Sequence, residues 1–144
     1  ATLTSGEFGH IFKVYEYLMQ VFAIKAPLNK KIREAYAKKD VKACEKAIKE
    51  IKKLQKKTEE FIEVFEDFYL HDNRGFGLEI HHTDFGNTVF RCKYAIKRLK
   101  AFIENGEKID ELEGGVLPIN YYPPVTVMNS CMVDYRMVMS YCIQ

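Results

Sequence analysis

The residues able to do chemistry in this sequence are four histidines, four cysteines and many carboxylates, and their spacing decides what they can do together. His81 and His82 are adjacent, so their side chains diverge on a helix or a strand and do not grip one ion as a zinc pair does. His10 and His71 are isolated, with no ligand spacing to a neighbour, so no metal site is expected. Cys44, Cys92, Cys131 and Cys142 show no paired short spacing. Cys44 and Cys92 fall on apolar helical seams, where a free thiol behaves as a small hydrophobe. They read as reduced structural thiols, which points to a reducing, cytoplasmic setting.

No Walker loop, GxSxG or HExxH occurs, so neither a catalytic set nor a cofactor site is expected. Glu45, Glu50, Glu59, Glu60, Glu63, Glu66 and Asp67 lie off the seams, whereas a catalytic acid needs burial or a like-charge neighbour to raise its pKa. Asp110 and Glu111 form the only Asp-Glu pair, in a polar stretch between Gly106 and Gly114 that belongs on the surface. Nine lysines between Lys38 and Lys57 could meet phosphate, but no exposed aromatics interleave with them and acids follow within a few turns. They read as a solvated face or as a dipolar docking surface for another domain or subunit. Tyr121 and Tyr122, in a loop broken by Pro118, Pro123 and Pro124, could touch carbohydrate or simply pin that loop to the body.

Composition narrows the field. A sequence of 144 residues, 47% hydrophobic and 29% charged, is one soluble domain with room for a core. A net charge of +2 gives no global field to recruit nucleic acid or an anionic membrane. No apolar run approaches the roughly 18 residues of a membrane span, and the N-terminus does not read as a secretory signal. The start at Ala1 fits processing, a tag remnant or an excised piece.

The elements that must position these residues are helical. From Asp40 to Leu70, Val41, Cys44, Ile48, Ile51, Gln55, Thr58, Ile62, Phe65 and Tyr69 form a seam in alternating steps of three and four. Ala47, Leu54, Phe61 and Phe68 add a second row, so the stripe is wide enough to need two partners. Before it, a capping box at Thr4 to Glu7 predicts a helix to about Lys25, apolar nearly all round. That helix is either central or faces a surface outside the bundle. Pro27 is expected to break it, with a short helix from Leu28 to Lys38 turning Leu28, Ile32, Ala35 and Tyr36 inward. After turn residues at His71 to Gly75, Phe76 to His82 reads as partly extended. Asp84 should then cap a helix with the seam Phe85, Val89, Cys92, Ile96, Leu99 and Ile103, antiparallel to the long one. Asn105 and Gly106 stop it. Val125 to Met128 and the alternation from Tyr135 to Ile143 predict a terminal hairpin. The expected fold is mainly α: a helical bundle with a long antiparallel helix pair and a small C-terminal β-hairpin, one domain with a body over about 4–113 and a tail over about 116–144.

Leu28 with Ile32, Arg33, Glu34, Ala35 and Tyr36 begins a run of residues that continues with Phe76, Gly77, Leu78 and Glu79, then Arg91, Arg98 and Leu99, then Ile109 to Glu113, Leu117 and Pro118. In this order and spacing the chain resembles the helical C-terminal region that follows the catalytic barrel in bacterial glycoside hydrolase family 20 exo-β-N-acetylhexosaminidases. The resemblance implies a parent enzyme that removes terminal N-acetylhexosamine with retention, the substrate's acetamide serving as nucleophile and a glutamic acid protonating the leaving oxygen. Those residues would belong to the barrel, and Asp110 and Glu111 lack its context. The chain is then expected to be a non-catalytic C-terminal piece that supports the barrel or mediates dimerisation. The alternative is a free-standing helical interaction module.

Overall fold

A computed structural model describes residue 6 and residues 8–113. The chain divides after Glu113, and the part before it is described by itself. Its elements are α1 (Gly9–Ala37), α2 (Val41–Asp72), α3 (Leu78–Asn105) and the single turn α4 (Asp110–Glu113). The expectation of a mainly helical body is met, and the described residues contain no strand. The predicted hairpin, the capping box residues Thr4, Ser5 and Glu7, Cys131, Cys142, and Tyr121 and Tyr122 all lie outside the described residues.

The long helix is the organising rod, packed against both α1 and α3. Its deepest residues are Cys44, Ala47, Ile48, Ile51, Leu54, Thr58, Phe61 and Val64. Buried positions come from both predicted rows, Cys44, Ile48, Ile51 and Thr58 from the first and Ala47, Leu54 and Phe61 from the second, while Val64 lies in neither and Val41 is exposed. A straight helix at 3.6 residues per turn drifts about 20° per heptad against a strict seven-residue repeat, so one row cannot stay inward over nine turns. Thr58, the one buried polar residue among the described residues, donates its hydroxyl to the Leu54 carbonyl at 2.9 Å.

Both junctions between long helices are tight. At the first, Lys39 sits at φ 51°, Lys39 N–H bonds the Tyr36 carbonyl and Asp40 N–H bonds the Ala35 carbonyl, the paired bonds of a Schellman ending. Asp40 is also the predicted cap of α2, its carboxylate accepting from Ala43 N–H at 3.0 Å. Asp40→Ala is expected to cost about 1 kcal/mol by chemical denaturation, because that amide then loses its partner. Ring and ion contacts run in opposite directions along the pair, His10 meeting His71 and Lys31 meeting Glu50, so α1 and α2 are antiparallel. In the same way Phe61 meets Phe85 and Tyr69 meets His81, which makes α2 and α3 the expected antiparallel pair.

Two boundaries depart from expectation. Pro27 does not break the first helix, and α1 runs through it to Ala37. Val14, Val21, Leu28 and Ala35 are buried at an unbroken seven-residue interval that spans the proline. Pro27 and Ala23, whose carbonyl loses its hydrogen-bond donor, both lie on the exposed side, where water can serve that carbonyl. The inward positions predicted for Leu28, Ile32, Ala35 and Tyr36 hold.

The segment Phe76 to His82 is not extended, and Asp84 is not a cap. The third helix starts at Leu78, so the connector is only residues 73–77. Gly77 makes this turn feasible: its φ is 94°, and a Cβ there would lie 3.1 Å from the Tyr69 hydroxyl. Glu79 accepts from Gly77 N–H at 3.0 Å, and Tyr69 donates to the Phe76 carbonyl at 2.8 Å. At the other end Gly106, left-handed at φ 70°, stops α3 where expected.

Candidate functional site

Three places in the body concentrate side chains beyond what the core needs. The first is the outer face of α1. Phe8, Phe12, Tyr15, Met19 and Phe22 follow each other at steps of four, three, four and three, and they are 60%, 46%, 56%, 58% and 47% exposed. Opposite them, Val14 and Val21 are buried and Tyr17, Leu18 and Ile24 pack on the core. The helix that reads as apolar all round therefore covers one side and leaves the other open. Half-exposed side chains of this size, at about 100 Å² each, make a strip on the order of 500 Å², large enough to mark an interaction surface.

The second place is the lock at the far end of α1. The Tyr36 hydroxyl donates to the Glu113 carboxylate and accepts from Ile109 N–H at 3.2 Å, while its ring lies 4.8 Å from Phe102. The bond to Glu113 holds the phenol above its ordinary pKa, against the lowering effect of the Ile109 amide. Arg98 donates to the Lys108 carbonyl at 2.9 Å and lies 3.8 Å from carboxylate oxygens of both Asp110 and Glu111. Leu99 and Ile109 are buried beneath. Tyr36, Arg98, Leu99 and the run from Ile109 to Glu113 are scattered in sequence but meet here, pinning α4 across the ends of α1 and α3. Asp110 and Glu111 are exposed, as their polar surroundings suggested.

The third place is a histidine cluster that sequence spacing missed. His10, in the first turn of α1, stacks on His71 near the end of α2 with ring centroids 4.2 Å apart. His71 Nδ1 lies 2.7 Å from one Asp72 oxygen and His10 Nε2 lies 3.4 Å from the other. The His71 hydrogen bond holds the Asp72 carboxyl below its usual value, against partial desolvation. A signal was available in the sequence. Once the α1–α2 turn is located at Lys39, residues 10 and 71 lie at nearly equal distances from it and must face each other in an antiparallel pair. His81 and His82 diverge as expected, His81 into the rings of Phe65, Tyr69 and Phe85 and His82 onto Glu66 at 2.8 Å.

The thiols of Cys44 and Cys92 are free and buried, and burial raises the pKa of both, which suits packing and opposes nucleophilic use. Along the lysine face, Lys31 reaches both Glu50 oxygens at 2.8 Å and Lys57 reaches Glu60 at 2.6 Å. Exposed pairs of this kind contribute little to stability. Among the described residues no helix is long and apolar enough to cross a membrane.

An antiparallel helical body with one apolar face left open and its ends locked by short-range polar contacts defines the class: an antiparallel helical-bundle domain. More particularly, the chain belongs to the glycoside hydrolase 20C C-terminal domain family, whose model matches residues 1–132. No curated protein and no solved structure matches it. The family description makes such a chain the C-terminal part of a larger glycoside hydrolase 20 polypeptide.

Proposed function

We propose that this domain is the non-catalytic support of a β-N-acetylhexosaminidase, seated against the catalytic barrel of the same polypeptide through the open face of α1. The observation that carries this reading is the five-residue strip from Phe8 to Phe22, whose regular spacing supplies a continuous apolar ridge that the bundle itself does not cover. The carboxylates support it too: Asp110 and Glu111 stand exposed 3.8 Å from Arg98, as part of the lock that pins α4 rather than inside an enclosed site. The enclosed thiols of Cys44 and Cys92 suit the reducing, cytoplasmic setting that belongs to the same reading.

In the full polypeptide, Phe12→Asp combined with Met19→Asp is expected to split one joint thermal transition into separate barrel and domain transitions. In the 144-residue chain alone, the same pair should move the unfolding free energy by no more than about 0.5 kcal/mol per site, because both side chains lie outside the core. A joint transition that survives the pair would refute the seat. Should the isolated chain instead be a dimer that the pair dissociates, with the polypeptide's melting unchanged, the face joins two copies. The pure chain should release nothing from a chromogenic N-acetylglucosaminide, and reproducible turnover would overturn the non-catalytic assignment.

A further inference from the structure

Independently of that reading, the geometry points to a divalent transition-metal site made by His10, His71 and Asp72, which would staple the start of α1 to the end of α2. Each residue offers one ligand atom, and these atoms all lie within 4.8 Å of one another. Two ligands on one tetrahedral zinc, at bond lengths near 2.0–2.1 Å, stand about 3.3 Å apart. His71 Nδ1 and His10 Nε2 lie 2.7 and 3.4 Å from the two different Asp72 oxygens, so the carboxylate stands between the imidazoles, and the stacked rings would have to turn for all three groups to meet one ion.

His10 Nε2 is closed off from solvent and faces the Asp72 oxygen at 3.4 Å, too long for a good hydrogen bond, so its only polar neighbour is another member of the cluster. Its ring is fixed by stacking on Phe68 at 5.9 Å and on His71, which holds the lone pair or proton of Nε2 toward the carboxylate. Charge favours a cation at the same point. Asp72 is the last residue of α2, where the helix dipole is negative and an anion is poorly placed, and a bound dication would relieve that mismatch. Imidazole with carboxylate is a donor set that suits zinc, cobalt, nickel or copper. His71 and Asp72 are each 58% exposed, which leaves a route for the ion and a coordination position for water.

The test is titration of the metal-free 144-residue chain with Co²⁺, followed by its visible ligand-field bands, with Zn²⁺ competition giving the affinity. One equivalent should bind, and Zn²⁺ should raise the melting temperature in a way that a chelator reverses. Loss of even the outer hydrogen-bond partners of a metal ligand costs on the order of 10–100-fold in affinity. His71→Gln and Asp72→Asn, both at exposed positions, should therefore each weaken binding at least about tenfold while the helical circular dichroism is kept. His10→Gln should do the same, and a chain carrying His81→Gln with His82→Gln should bind normally. Absence of stoichiometric binding would overturn the site, as would binding that survives His71→Gln and Asp72→Asn, or binding lost in the His81 and His82 control.

Discussion

Phe61→Ala is expected to cost the bundle about 3–5 kcal/mol, the range for deleting a buried phenylalanine side chain and leaving part of its volume empty. Phe61 is only 4% exposed and lies where α2 faces α3. Its ring stands edge-on to Phe85 at 5.1 Å and tilted to Phe65 at 5.9 Å, and Phe65 in turn meets Phe85 edge-on at 5.0 Å. Removing one ring of this triangle takes one of Phe85's three ring neighbours, and Phe65 cannot move into the gap without leaving His81, 5.0 Å away. Domains of this size are typically stable by about 5–15 kcal/mol, so the loss would be a large share of the total. Urea unfolding should show a lower midpoint at unchanged slope. Phe90→Ala provides the contrast: that residue is 69% exposed, and its change should stay within about 0.5 kcal/mol. A Phe61→Ala effect below 1 kcal/mol would mean that α2 and α3 are not held together by these rings.

The comparison of Phe61 with Pro27 shows which features sequence could carry. The α2 stripe was legible because apolar and charged residues alternate cleanly around the helix, leaving one face available for burial. Asp40, Gly106 and the α3 seam were legible for local reasons, a cap or a stop acting within one turn. The first helix gave no such choice. With apolar residues on nearly every side, its pattern could not say that Val14 and Val21 go inward while Phe12 and Met19 stay out, because that depends on where α2 lies. The start of α3 was misplaced because Asp84 offers a good local cap, whereas the actual turn depends on Gly77 meeting the Tyr69 hydroxyl across the connector. The histidine cluster is wholly tertiary: His10 and His71 share no local pattern, and only the antiparallel register of α1 and α2 brings them together.

Pro27→Ala is expected to stabilise the chain. In a helix interior proline is about 3 kcal/mol less favourable than alanine, since it lacks the N–H and its ring crowds the preceding turn. Part of that difference is offset by the unfolded chain, which proline restricts by about 0.4–1 kcal/mol. Solvation of the Ala23 carbonyl reduces it further, so a net gain near 2 kcal/mol is the expected result. No packing is lost in exchange, because Pro27 is exposed and Leu28 beside it keeps its place in the buried row. The melting temperature should rise by roughly 5–10 °C for a body of this length. Amide exchange should slow at residues 23–30, where the added N–H completes the ladder. A fall in stability would carry a different message: the packing of Val21 and Leu28 would then require the bend that proline imposes, and the two halves of α1 would be held at an angle for the sake of the core. The strip from Phe8 to Phe22 lies wholly before the proline and the Tyr36 lock wholly after it. If the substitution stabilises the isolated chain but weakens its joint melting with the barrel, the proline serves to aim the open face rather than to hold the bundle.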